Sequence, residues 1–335
     1  MRTGSRLPLA AFVAASLFLP GAALHAAAQF KMVTATEGAD FQVGRDLARF
    51  IAPTADVQLD VLASGSSAET LRRLRSEPGV KLATVQSDVY QAVLEQAARG
   101  NAAAGNLVQP LRVLVPLYKE ELHLVVRADA PFNALHEIKD ARINVGPRRN
   151  DTAATIANLY PALFGKPLAD AQASYLPHEE ALVKLVTDRT IDVVAIVAGQ
   201  PAKLIADMKP EARQYIKLLK LDPANAAGRA AARRYLPATV RAGSYPALLV
   251  QDMPALAVRV YLVTQDFRDH YTEHRLILLG RSLCRDISAL RAKGHAKWQE
   301  VEPTLAQLPP GMSYYQPTTT ELHDCPVRRP ARPKP

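Results

Sequence analysis

His270-Tyr271-Thr272-Glu273-His274 spells H-x-x-E-H. On a helix this spacing brings two histidines to one face, where they can grip zinc beside a glutamate. Asp269, Glu273 and Arg275 surround the motif with charge, the composition of a solvated helix start. A zinc hydrolase acting through His270, Glu273 and His274 is therefore the minor reading, and no metal is expected. Neither G-x-S-x-G nor G-x-x-x-x-G-K-[ST] occurs in the chain, so the nucleophile elbow and the phosphate loop are missing. Gly65-Ser66-Ser67 lacks any flanking pattern for a nucleophile. We expect no enzyme, no catalytic residue and no cofactor.

The polar residues suited to holding a solute recur where a predicted strand hands over to a predicted helix. Four such loops stand out, at Glu37 to Phe41, Ser64 to Ser67, Gln86 to Asp88 and Arg148 to Thr152. Helix N-termini expose unpaired N–H groups and partial positive charge, so they take anions. Arg148 or Arg149 would add a bidentate carboxylate clamp. Ser66 and Asp88 have the plainer reading of N-caps, and the two arginines that of a solvated loop. Gln86, polar at the end of an apolar run, reads as functional.

The chain ends bound the compartment. Arg2 and Arg6 precede an apolar run from Leu7 to Leu24, and Ala26-Ala27-Ala28 offers a cleavage site. This is the plan of a cleavable signal peptide over residues 1–28, broken by Pro8, Pro20 and Gly21 and short for a membrane span. The expected location is the periplasm. Cys284 and Cys325 are the two cysteines of the chain, and an exported protein with an even number invites a bridge. Two free thiols are the alternative. Of the 41 cations, two lie in the signal and four in the tail after Cys325, which leaves 35 against 32 acids. A body near +3 lacks the basic patch of a nucleic-acid binder. Pro326 to Pro335, rich in proline and cations, reads as a disordered basic tail.

Strands and helices alternate, which predicts an α/β architecture. Strands are expected at 30–36, 57–62, 81–85, 111–117, 122–127, 141–145, 191–197, 215–219 and 255–264. Helices are expected at 41–51, 88–98, 152–164, 178–187, 224–234 and 272–291, and after the capping box Ser66-Ser67-Ala68-Glu69, which opens a helix through Arg75. Residues 100–105 read as a small-residue surface loop.

Ordered segments across nearly all of the mature chain resemble the TAXI family of solute-binding proteins that serve TRAP transporters. These are Ser64-Gly65-Ser66-Ser67-Ala68-Glu69, Leu82 to Asp88 ending in Gln86-Ser87-Asp88, Leu122 to Asp129, Asn144-Val145-Gly146-Pro147, Ile191-Asp192, Val197 to Pro201, Gly243-Ser244-Tyr245-Pro246 and Gly311 to Tyr315. The resemblance implies a periplasmic binding protein-like fold of type II, with two lobes that close around a ligand. Lobe one would be 29–125 plus 256–325 and lobe two 127–250, hinged at Val125 to Ala128 and the start of 255–264. It further implies that the four loops converge on one cleft. The ligand set would then be Glu37, Gly38, Asp40, Phe41, Ser66, Ser67, Gln86, Ser87, Asp88, Arg148, Arg149, Asn150, Asp151, Thr152, Gly199 and Tyr245. A small carboxylate or amino acid, anionic or zwitterionic, is the expected solute, delivered by a monomer to TRAP membrane subunits. Two loops depart from the family. Thr36-Glu37-Gly38-Ala39-Asp40-Phe41 lacks the usual glycine-rich turn and tyrosine pair, and Arg149-Asn150-Asp151-Thr152 replaces Gly-Ser-Gly-Thr. Glu37 and Asp40 would suit an ammonium group, and the arginines a carboxylate. The alternative is that these charges pair with one another and leave a sensor or scaffold of the same fold without transport.

Overall fold

The structure is a computed structural model that describes residues 27–36, 38–323 and 325. The signal peptide reading (apart from Ala27 and Ala28), Glu37 and the 326–335 tail lie outside the described residues. In chain order the first half comprises β1 (Ala28–Ala35), α1 (Asp40–Asp46), β2 (Val57–Ser64), α2 (Ser67–Ser76), β3 (Val80–Gln86), α3 (Ser87–Ala98), α4 (Ala102–Val108) and β4 (Leu111–Arg127). The second comprises β5 (Ile143–Asn144), α5 (Asp151–Phe164), β6 (Ala173–Ser174), α6 (His178–Val186), β7 (Val193–Ala198), α7 (Lys203–Ala206), β8 (Ile216–Leu218), α8 (Ala226–Ala232), β9 (Leu236–Val240), β10 (Met253–Gln265), α9 (His270–Lys293) and α10 (Gln316–His323).

The strand order is β2-β1-β3-β10-β4-β7-β5-β6, with β8 and β9 beside β4 and β10. β2, β1 and β3 run parallel, as do β7, β5 and β6. The antiparallel pair β10–β4 joins the two groups. Hydrogen bonding is therefore continuous through the sheet, whereas the apolar packing is not. Up to Tyr118, β4 packs with Phe30, Met32, Val85 and Trp298; from Leu122 onward it packs with Ile156, Tyr160, Val194 and Ile196. Along β10 the same change falls between Val258 and Val260. Two lobes result, each a sheet layered between helices.

Between the two cores lies a charged waist, Lys119-Glu120-Glu121 on β4 opposite Ala257-Val258-Arg259 on β10. The apolar packing changes over here on both strands. The same charges explain why two strands were expected where one 17-residue strand runs. Lys-Glu-Glu reads as a break, yet Glu120 and Glu121 are each buried against partners from distant parts of the chain. The surface loop expected at 100–105 is instead the start of α4, which Asn101 caps by accepting from Ala104 N at 3.1 Å.

Cys284 on α9 and Cys325 beyond α10 lie at sulfur bonding distance with Cα atoms 5.4 Å apart, within the span a disulfide needs.

Candidate functional site

α2 begins as its sequence dictates. Ser66 accepts from Glu69 N at 3.3 Å, and the Glu69 carboxylate returns to Gly65 N at 3.0 Å. With Ser66 thus occupied as the cap, the next residue is free to act elsewhere. Ser67, fully buried, donates from its N–H to Asp151 Oδ1 at 2.7 Å and from its hydroxyl to Asp151 Oδ2 at 2.9 Å. The same hydroxyl accepts from Gln86 N at 3.0 Å. Asp151 opens α5 in lobe two, where Asn150 is the cap and accepts from Ala153 N at 2.8 Å. A lobe-two carboxylate thus sits on the N-terminus of a lobe-one helix, where partial positive charge favours an anion.

Beside this bridge lies an acidic cluster. Asp40, Glu120 and Asp88 are buried, and Asp151 is half-buried. Gln86 donates from Nε2 to Glu120 Oε2 at 2.6 Å, while its Oε1, on a side chain 3% exposed, has no partner among the described residues. Gly38 takes φ +73°, and a Cβ there would stand 2.6 Å from Glu120 Oε1, so a side chain at this position would displace the glutamate. The Tyr118 hydroxyl donates to Asp40 Oδ1.

Burial disfavours charge on each of these acids. It pushes the Asp40 carboxyl up to about 6, against the pull of Thr84 and Tyr118. Asp88 is raised to about 6 for the same reason. Asp151 rises to about 7, through burial and then the nearby Asp40 and Asp88, against its two Ser67 hydrogen bonds. Glu120 is raised well above the carboxylate range by burial and by Asp40.

Behind the waist Lys297, 3% exposed, donates to Lys119 O at 2.8 Å and Glu300 Oε1 at 2.7 Å, with Glu121 Oε2 at 3.6 Å. Gly199 makes room for it, since a Cβ there would fall 2.3 Å from Lys297 Cε. Gln200 N donates to Glu121 Oε2 at 3.1 Å. A cavity of about 410 Å³ opens here between Glu121, Gln200, Thr239, Arg241, Arg259 and Glu300.

The structure brings Gly38, Asp40, Ser67, Gln86 and Asp151 to one place, with Ser66 and Asn150 as the caps that set them. Thr152 ties α5 to β7 by accepting from Val197 N at 3.1 Å. Ser87 accepts from Arg259 N at 3.0 Å, and Phe41 is half-buried at the start of α1. Arg148 and Arg149 stand elsewhere. Both are exposed; Arg148 stacks on Tyr175 at 4.0 Å, and Arg149 has φ +66° and lines a rim groove with Arg72. Tyr245 lies within the lobe-two core, hydrogen-bonded to His123 Nε2 at 2.8 Å and accepting from Ala202 N at 2.8 Å. Glu120, Tyr118, Glu121 and Lys297 are the site residues missed in the sequence. The signal for the glutamates was present, as consecutive acids inside an apolar strand.

His270 and His274 stack with ring centroids 6.2 Å apart on the exposed face of α9. Among the described residues no group of three or more His, Cys, Asp or Glu is placed to hold a metal.

A family model described as the NMT1-like family matches residues 32–279. No curated protein matches the chain. Among solved structures it is similar to the periplasmic binding protein BugD, at 12% identity and a TM-score of 0.48, covering 88% of this chain and 92% of that one. It is similar to XAC2383 from Xanthomonas citri bound to ATP, at 14% identity and a TM-score of 0.45 over 88% and 95%. The periplasmic aliphatic sulphonate binding protein SsuA from Escherichia coli is similar at 14% identity and a TM-score of 0.43 over 79% and 78%.

Proposed function

The chain belongs to the NMT1-like family, and from that premise we propose that it is a solute-binding protein of the periplasmic-binding-protein type. It captures a small carboxylate or amino acid between its lobes and delivers it, as a periplasmic monomer without cofactor, to a TRAP-type transporter. The TAXI-like segments support the transporter part of this reading, and the leader-like pattern expected over residues 1–28 supports the location. We place the hinge at Lys119–Glu121 and Arg259, where the cores change over.

The observation that carries the reading is the grip of Ser67 on a carboxylate. Its backbone N–H and hydroxyl hold both oxygens of Asp151 in a geometry that a solute carboxylate would use equally. Asp151 is then an internal competitor that leaves when the solute arrives. The same bridge favours a second reading, a scaffold whose lobes are kept shut by Asp151 and which takes no solute. Titration calorimetry on wild type and Asp151→Ala separates the two. A receptor binds a small acid or amino acid, and more tightly once Asp151 is removed. If neither protein binds any member of such a panel at millimolar concentration, the scaffold reading replaces the receptor.

A further inference from the structure

Asp40, Glu120 and Gln86 come from three elements and meet beside the carboxylate grip, with no compensating cation at their front among the described residues. Asp40 and Glu120 act on each other through their charges, and Gln86 holds Glu120 through its Nε2. That bond orients the amide, so Gln86 Oε1 is the atom left over. It is a buried acceptor without a donor among the described residues, a costly arrangement in a folded protein. The three groups together are rich in oxygen acceptors, and ionising either acid in so enclosed a place leaves negative charge without a cation beside it. A protonated amine supplies up to three N–H donors and one positive charge, which answers both deficits.

We propose that the solute carries a protonated amine and that Asp40, Glu120 and the Gln86 amide oxygen form its subsite. The inference rests on the solute-binding reading above and deepens it. A zwitterion then spans the cleft floor, its carboxylate displacing Asp151 from Ser67 and its ammonium lying toward Glu120. The acids nearby reinforce the preference. Asp151 acts on Glu120 from α5, and Asp88 on Asp151 from α3. Tyr118 lies against Asp40, and its hydroxyl is held neutral far above the ordinary range by burial and by Asp40 and Glu120. Lys297 is the cation that acts on Glu120, and its ammonium is committed behind the waist to Lys119 O and Glu300.

A bland account of the same atoms exists, in which Glu120 stays protonated as a structural group and never meets a cation. The two differ in proton balance. An arriving ammonium favours the ionised carboxylates, so binding releases protons to buffer and strengthens as pH rises through about 6, where the Asp40 carboxyl titrates. A permanently neutral Glu120 releases none, and only the proton that Asp151 sheds on displacement is then counted; running the same titrations on Asp151→Ala removes that contribution.

The test is calorimetry on the full exported chain with matched pairs: L-glutamate and glutarate, L-alanine and propionate, L-leucine and 4-methylpentanoate, with putrescine as an amine lacking a carboxylate. Running each in two buffers of different ionisation enthalpy counts the protons. We expect the amine-bearing member of at least one pair to bind about tenfold or more tightly than its partner, as for a charge pair in a closed site. Proton release should accompany it, and Glu120→Gln should erase the preference. Gln86→Met, of similar size, provides a second variant should Glu120→Gln misfold. Equal affinity within every pair overturns the amine subsite and leaves the carboxylate receptor standing. An intact preference in the folded variants, or binding without proton release, overturns it likewise. Binding of putrescine alone supports the subsite and removes the carboxylate from the solute. Silence across the whole panel removes the receptor reading and this inference with it.

Discussion

Asp151 holds its proton more tightly than a free aspartate because it is enclosed with Asp40 and Asp88 nearby, and the consequence is a pH signature. Its carboxyl is raised from 3.8 to about 7, so the folded chain keeps a proton that the unfolded chain has lost. The stability this provides is full below about pH 4 and is lost as pH rises through about 7. The side-chain amide of an Asp151→Asn variant is neutral throughout. The melting temperature of Asp151→Asn relative to wild type should therefore climb between about pH 4 and about pH 7, and a difference flat with pH would refute the assignment. His123 runs the other way. Burial lowers it to about 4, so its contribution is present above about 6.5 and lost as pH falls through 4; comparing variant with wild type cancels it. Ser67, Gln86 and Asp151 were legible as candidates because each stands at a strand-to-helix handover, a local feature. Glu120 and Lys297 were not, because their partners lie 34 and 178 residues away, and no local pattern encodes such a meeting.

At the scale of elements, two short segments set the site. The N-terminus of α2 was readable from the Ser66–Glu69 spacing, and Ser66 does cap Glu69 N, while the Glu69 carboxylate turns back to Gly65 N, one residue before the cap. Ser66→Ala should cost about 1 kcal/mol in chemical denaturation, with the helix end fraying around Ser67 and the carboxylate grip weakening. The waist of β4 resisted reading because strand alternation sends Glu120 and Glu121 to opposite faces, where each finds a different partner. On the rear face Lys297 and Glu121 are 3% and 5% exposed and 3.6 Å apart. Burial raises the Glu121 carboxyl, and Lys297 opposes that rise. Removing one member leaves a charge without compensation. Lys297→Met should cost about 3–5 kcal/mol, and adding Glu121→Gln should recover much of it. Equal stability of Lys297→Met and wild type would show that the pair carries no weight.

Across the whole molecule, the α/β class was legible from alternation and the two-lobed layout from the family resemblance, while the continuity of β4 was not. The C-terminal portion re-enters lobe one through β10 and is pinned by Cys284 and Cys325. A bridge between them closes a loop with a sequence separation of 41, worth about 4 kcal/mol in the chain-entropy model. The double variant Cys284→Ser/Cys325→Ser should lose stability of that order, and a reducing agent should lower the wild-type melting temperature similarly. No effect of either would mean that helix packing alone holds the C-terminus.

That pairing also fits the protein for optical labelling. The chain has 2 cysteines, and the bridge occupies both. Arg72 and Arg149 are exposed and both line one groove of about 550 Å³. A cysteine introduced at either would be the sole reactive thiol, so one environment-sensitive dye could be attached there without protecting steps. If the lobes close on a solute as proposed, its emission would follow that closure in real time and turn an unknown solute into a visible one.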